Sequence, residues 1–461
     1  MTSLTAAQQR ALSSLVKTSP FAKVSQELGR RFAAAGHELY LVGGTVRDAL
    51  LERSSPDVDF TTDASPEQIL AVVRGWDDGI WLQGARYGTV GVRKGDLRLE
   101  ITTFRSDVYR EESRKPEVTF GRSVEEDLAR RDFTVNAMAV RLPDGRFVDP
   151  YGGLADLAAR RLRTPSSPAV SFEDDPLRML RAARFAAQLE LTPTRETLAG
   201  VGERHARLAI VSRERIRDEL EKLLLGRAPG KGLWIVVQTG LADEFLPELP
   251  ALALAQDPVH RHKDVLRHTI AVVENATAFD ADEPDLVLRM AALLHDVGKP
   301  RTRRFGPEGV TFHLHEVVGA KMAEKRLTEL RFPGDFIADV RQLVLLHLRF
   351  HTYRLGWSDS AVRRYVRDAG PLLDRLNFLV RSDCTTRNVF KARQLAGYSD
   401  ELEERIARLE AEEELASIRP PLDGRQVMER LGIPPGPLVG KALAHLLELR
   451  LDHGPMSEEE A

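Results

Sequence analysis

The spacing of apolar residues changes once along this chain of 461 residues, and that change limits the folds open to it. Between Glu38 and Val148 the apolar runs are short or alternating, and Gly or Asp breaks them. Examples are Leu39-Tyr40-Leu41-Val42, Val58-Asp59-Phe60 and Leu97-Arg98-Leu99-Glu100-Ile101. A period of two sends successive side chains to opposite faces, as in strands. Before this stretch, Leu15, Val16, Phe21, Val24, Leu28 and Phe32 recur near helical spacing. After it comes a Pro/Ser stretch, Thr164 to Pro168. From Phe172 the pattern is helical almost to the end, punctuated at Gly226 to Gly232 and Pro247 to Pro258. The expected order is a helical segment (1–35), an α/β head (36–163), a helical neck (164–246), a further helical domain (247–390) and a helical tail (391–461).

Composition excludes several classes. One cysteine, Cys384, leaves no internal disulfide framework and favours a reducing compartment, so a cytoplasmic location is expected. No apolar run approaches the roughly 20 residues of a membrane helix, and the N-terminus lacks the pattern of a signal peptide. A net charge of -3 argues against coating nucleic acid by bulk charge; a polyanion partner needs a local basic surface.

Two features of the head point to phosphate chemistry. Leu39–Val42 ends in Gly43-Gly44, and a helical pattern follows with Thr45 as its expected N-cap. A glycine pair between strand and helix lets backbone N–H groups approach a phosphate at the positive helix end, and Arg47 can add a charged fork. Asp57-Val58-Asp59 then places two carboxylates on one strand face, where they repel unless a cation lies between them. Mg²⁺, which shares oxygen ligands with substrate phosphates, suits that role. Glu100 either completes such a site or faces solvent.

Four blocks in order carry a resemblance. They are Leu41-Val42-Gly43-Gly44-Thr45-Val46-Arg47-Asp48 with Asp57-Val58-Asp59, then Glu126 to Ala139, then Asp149-Pro150-Tyr151-Gly152-Gly153, then Asp174-Asp175-Pro176-Leu177-Arg178. Together they resemble the class II tRNA nucleotidyltransferases, the CCA-adding enzymes, and their bacterial poly(A) polymerase relatives. The resemblance implies a DNA polymerase beta-like mixed sheet followed by an all-α neck, HD domain and tRNA-binding tail. It implies catalytic Asp57 and Asp59 holding two Mg²⁺ ions, with Glu100 as the candidate third carboxylate. It assigns Gly43, Gly44 and Arg47 to the triphosphate, and Arg130, Arg131 and Asp132 to ribose recognition, with Asn136 nearby. The family's flexible loop, needed for adding the last A, corresponds to Arg105–Gly121, which includes Tyr109, Arg114, Pro116 and Phe120.

Asp175 and Arg178 stand three apart, which makes them neighbours if both lie on one helix. Cytosine and adenine present an exocyclic amine beside an unprotonated ring nitrogen. A carboxylate only accepts and a guanidinium only donates, so this pair can read both bases and repel G and U. The family's usual Glu-Asp pair is Asp174-Asp175 here. Arg181 and Arg184 continue the spacing, as tRNA contacts or as solvated side chains.

Eight of the twelve histidines lie between His260 and His351. The order His268, His295-Asp296, Asp383 resembles the HD-domain phosphohydrolases, and His315 and His347 fall where two-metal members carry extra histidines. Imidazole and carboxylate together suit a divalent transition metal. Lys299 can bind a phosphate; His260, His262, His313 and His351 are read as structural. The resulting expectation is addition or repair of the tRNA 3′-terminal CCA from CTP and ATP. The rivals are a poly(A) polymerase, a phosphohydrolase whose head only binds nucleotide, and a tRNA-binding quality-control factor.

Overall fold

The computed structural model describes residues 5–53, 58–108, 117–121, 123–254, 264–280, 283–306, 309–386, 388–413 and 418–461. The chain divides into two compact units, Met1–Glu219 with Gln238–Glu244, and Leu220–Val237 with Phe245–Ala461.

The first unit is built on a seven-stranded sheet. Its strands are β1 (Leu39–Val42), β2 (Val58–Thr62), β3 (Gly79–Trp81), β4 (Thr89–Lys94) and β5 (Leu97–Thr103). A separate hairpin, β6 (Arg105–Val108) and β7 (Glu117–Phe120), follows, and β8 (Ala139–Leu142) and β9 (Phe147–Val148) complete the sheet. The order is β3-β4-β5-β2-β1-β8-β9, with β2 and β5 parallel and the other pairs antiparallel. This is the mixed sheet expected from the sequence. Leu39, Leu41, Val58, Phe60, Leu99 and Ile101 belong to one buried cluster with Leu28 and Phe32 of the helix Ala22–Ala34 and Ile69 and Val73 of the helix Pro66–Val73. Full burial of each large side chain contributes roughly 1.5–3 kcal/mol. The alternation sends Tyr40 and Val42 to a second, smaller cluster with Phe104 and Leu128. Asp59 and Glu100 point away from the main core.

Several expectations are corrected here. Helix begins at Pro168, not Phe172, because Ser167 caps it and Pro168 occupies its first turn. The helix after β1 runs Gly44–Leu50, so Thr45 lies inside it and Gly43 is its N-cap. Thr45 instead accepts a hydrogen bond from the Asp59 backbone N–H at 3.3 Å.

The second unit is helical. Val265–Ala276, Leu286–Leu294, His315–Glu329, Gly334–Leu346 and Leu373–Ser382 form its packed centre, and Val389–Glu413, Gly424–Leu431 and Pro437–His453 follow. Asp264 and Asp285 cap the first two of these helices, accepting from Arg267 and Leu288 backbone N–H groups at 3.0 and 2.9 Å. Arg289 is among the largest fully buried side chains. It pairs with Asp280 and donates to the carbonyls of Leu224 and Gly226, so its charge is compensated. Among the described residues, no helix is long and apolar enough to cross a membrane.

Candidate active site and metal centre

The glycine turn and the acidic strand meet. Gly43 has φ +67°, a conformation open to glycine at little cost, and a Cβ there would stand 2.8 Å from Arg131 Nη1 and 3.8 Å from Asp59 Oδ2. The turn therefore touches both a cation and a carboxylate. Parallel pairing sets Asp59 in register with Glu100, so both carboxylates leave the same face of adjacent strands. Asp57 lies outside the described residues, as do Tyr109, Arg114 and Pro116.

Around this turn each arginine already has an acid. The Arg47 fork, expected to reach a triphosphate, grips Asp48 through Nε and Nη2 at 2.9 and 2.8 Å, and its Nη1 donates to Asn136 Oδ1 at 2.7 Å. Asn136 donates onward to Asp132, which also pairs with Arg181 at 2.5 Å. Burial opposes ionisation of Asp132, but Arg181, Asn136 and Arg178 outweigh it and hold the carboxyl at about 2. Fully buried Asp127 binds both Arg130 and Arg131, at 2.7 and 3.2 Å.

Asp175 and Arg178 are not the helical neighbours that their spacing suggests. Asp175 is extended (φ −141°, ψ 101°) at the end of the helix Pro168–Asp174, and Arg178 lies in the next helix, Leu177–Leu189. Pro176 separates the two, and a residue before proline is pushed out of the helical region. Arg178 donates to Ser171 O and Oγ and to the Arg130 carbonyl. Asp175 caps the Leu177 N–H and pairs with Arg215 at 3.2 Å. Arg184 pairs with Glu219, so neither it nor Arg181 is simply solvated.

In the second unit the helices bring His268, His295, Asp296, His315, His347 and Asp383 into one cluster. Its potential ligand atoms form two groups, His268/His295/Asp296 and Asp296/His315/His347, each with all atoms within 4.8 Å of one another. Three of the imidazoles are set the same way. His295, His315 and His347 donate Nδ1–H to the carbonyls of Ala292, Phe312 and Val344 at 2.8, 2.8 and 2.6 Å. Each Nε2 is then turned inward, buried and without a hydrogen-bond partner, those of His295 and His315 lying 3.2 and 3.3 Å from Asp296. His268 is oriented by Thr385 Oγ1 at 2.8 Å, and its Nε2 lies 2.8 Å from Asp383. Burial disfavours the charged forms of Asp296 and Asp383, yet His295 does most to hold Asp296, and His268 to hold Asp383, well below the usual carboxylate range. Burial, with the charge of His295, pushes His347 down to about 3, so it is neutral at pH 7. Buried imidazoles turned onto a shared carboxylate suit a divalent metal, which would take them in the unprotonated form.

Three family models match stretches of the chain. Residues 39–163 match the poly A polymerase head domain, 190–252 the probable RNA and SrmB-binding site of polymerase A, and 265–388 the HD domain. The A-adding tRNA nucleotidyltransferase of Deinococcus radiodurans is 35% identical over 89% of this chain and 91% of its own. The chain belongs to the tRNA nucleotidyltransferase family. Another member, the CC-adding tRNA nucleotidyltransferase of Thermus thermophilus, is 34% identical over 92% of each chain. The Bacillus stearothermophilus CCA-adding enzyme, solved in complex with CTP, superposes with a TM-score of 0.69 at 25% identity over 96% of both chains.

Within this tRNA nucleotidyltransferase, sequence reasoning passed over several residues. Arg215 meets Asp175 across 40 positions, and no local spacing announces that pair. Thr385 orients His268 from 117 residues away. His351, read as structural, lies 3.4 Å from Asp383, and its place in the histidine-rich stretch was the available signal.

Proposed function

We propose that this nucleotidyltransferase builds or repairs the 3′-terminal CCA of tRNA, using CTP and ATP and releasing pyrophosphate. The observation that carries the reading is the meeting of Gly43 with Asp59 and Arg131, with Glu100 in register beside Asp59. Asp57 and Asp59, with Glu100 as third carboxylate, are the residues that would hold Mg²⁺. Asp59 and Glu100 fit it: hard oxygen donors on the same face of adjacent strands, beside the Gly43 turn. When bound, two such ions supply charge stabilisation for the attacking hydroxyl and the leaving pyrophosphate. Gly43, Gly44 and Arg47 serve the triphosphate, and Arg130, Arg131, Asp132 and Asn136 the ribose side. Asp175 accepts from the amine of C or A, held by Arg215, while Arg178 exchanges the Arg130 carbonyl for the ring nitrogen. This reading assigns the protein to the cytoplasm, where tRNA and both triphosphates occur.

The test uses tRNA ending before CCA, after one C and after CC, with CTP and ATP singly and together. Addition of C, C and A to the shortest substrate is expected. A long A tail favours the polymerase rival, and no extension overturns both. The name of the Deinococcus relative supports a second reading, addition of A alone, which predicts extension only of the CC-ended tRNA. The hairpin β6–β7, at the position of the family's loop for the last A, opposes a CC-only product. Arg178→Ala should lose C/A preference and keep residual transfer.

In the second unit, His268, His295, Asp296, His315, His347 and Asp383 are the residues that would hold a divalent transition metal. His295→Ala should lower bound metal, measured by elemental analysis; unchanged content overturns the site.

A further inference from the structure

We propose that Trp81, with Arg93 and Arg98, forms a subsite for the 3′-terminal strand of the tRNA, the ring stacking on a base and the two guanidinium groups holding its phosphates. The proposal rests on the reading of Asp59 and Glu100 as the metal-holding pair. Strand pairing sets four residues in one row across the sheet. Asp59 on β2 pairs with Glu100 on β5, Glu100 with Gly91 on β4, and Gly91 with Trp81 on β3. Residues paired in register send their side chains to the same face. Val90 and Val92, on either side of Gly91, enter the main buried cluster, so the row lies on the opposite face, with the carboxylates. The Trp81 ring fills the place of the side chain that Gly91 lacks: a Cβ there would stand 1.8 Å from its Cε2 and 2.0 Å from its Nε1. The ring is therefore folded inward over β4, one strand spacing, about 4.8 Å, from the strand that carries Glu100.

Three observations give the occupant. Trp81 is partly exposed, and among the described residues no ring or cation is stacked on it and its indole N–H has no hydrogen-bond partner. The ring thus rests on backbone and keeps surface for a second flat group. Two residues further along the strands, Arg93 pairs with Arg98, on the same face as Gly91 and Glu100. Like charges directly opposite each other destabilise a sheet. Arg93 donates to the Asp78 carbonyl at 2.9 Å, Arg98 is exposed, and neither forms an ion pair among the described residues, so a phosphate would relieve the pair. Finally, stacking on an aromatic ring is tolerant of base identity. That suits a strand whose last nucleotide changes with every addition. The base of the incoming triphosphate already has Asp175 and Arg178, which leaves the acceptor strand for Trp81.

The experiment measures equilibrium binding of full-length protein to tRNA ending before CCA, without triphosphate or divalent metal. A matched set of tRNAs carries an abasic site at each of the last three nucleotides in turn. Trp81→Ala should weaken intact tRNA about tenfold, and Trp81→Phe, which keeps a ring, by less than about threefold. At one position the abasic tRNA should bind wild-type protein about tenfold more weakly and lose nothing further with Trp81→Ala, because ring and base are two halves of one interaction. Additive losses at all three positions overturn the stack. Replacing both Arg93 and Arg98 by Ala should lower the slope of log affinity against log salt by about 1.4, the value for two phosphates of a single strand. An unchanged slope overturns their role. In steady state Trp81→Ala should raise KM for tRNA and leave KM for CTP within about twofold; the reverse gives the ring to the incoming base and overturns the assignment. Coupled binding in protein that incorporates no nucleotide keeps the subsite and overturns the functional reading. Normal incorporation with uncoupled binding overturns the subsite alone.

Discussion

The polymerase-type head and the histidine cluster handle charge in opposite ways. In the head, cations are already neutralised by acids of the same unit: Arg47 by Asp48, Arg130 and Arg131 by Asp127, Arg181 by Asp132. In the cluster, one buried carboxylate, Asp296, is surrounded by imidazole nitrogens that have no hydrogen-bond partner. The first arrangement pairs its charges internally, so under the proposed function an incoming triphosphate or base would have to replace an internal partner. The second pairs Asp296 with Lys299 at 2.6 Å but leaves three buried Nε2 atoms beside it with no hydrogen-bond partner, and a divalent cation would engage them. Paired substitutions test whether the two sites are independent in this way. Asp59→Asn should lower nucleotide incorporation by roughly three orders of magnitude, the scale of lost metal charge stabilisation, with metal in the cluster retained. Asp296→Asn should do the reverse, emptying the cluster while incorporation stays within a few fold. Loss of both activities in either variant would break the comparison.

A second test concerns how the cluster is assembled. A Cβ on Gly298 would stand 2.1 Å from the His315 carbonyl and 2.7 Å from the Gly319 N–H. That absent atom is what lets the helix His315–Glu329 approach closely enough to bring His315 to Asp296. Gly298→Ala should cost about 3 kcal/mol of stability in urea unfolding and lower metal content together. Stability lost with metal content intact would show that the close approach serves packing alone.

The smallest expected effect concerns the head network. Asp132 titrates at about 2 when folded against an ordinary 3.8. Its ionised form therefore adds stability that is complete above about pH 4 and lost as pH falls toward 2. The shift corresponds to about 2 kcal/mol. Asp132→Asn should flatten that part of the stability profile, measured by urea unfolding between pH 5 and pH 2.5. An unchanged acid limb would show that Arg181 does not depend on this partner.

Much of the head was legible because its signals are local. A short apolar run marked β1, alternation marked β5, and the glycine pair marked the turn between β1 and the following helix. Two readings failed on signals that were present. Pro176 already argued against one helix through Asp175 and Arg178. Gly43 can take a positive φ, which lets the helix start at Gly44 and leaves Thr45 to hold the Asp59 backbone. Arg47 was harder to read, because its fork is taken by the residue next to it in sequence, a choice made by rotamer and packing. Arg215 was illegible for another reason: its partner is brought near by folding alone, whereas His351 had its place in the histidine-rich stretch as a signal.

Residue order by itself determined the sequence of α/β head and helical body, the motif blocks that mark the family, and which side chains are able to do phosphate and metal chemistry. Spacing along one strand or one helix turn is enough for that, since the backbone geometry is known in advance. Only the tertiary structure decided which of those side chains meet. It seated Gly43 against Asp59 and Arg131, gave Asp175 to Arg215, and turned three Nε2 atoms toward Asp296. Those outcomes depend on how closely separate elements pack and on which buried polar groups are satisfied first, and no local pattern carries that information.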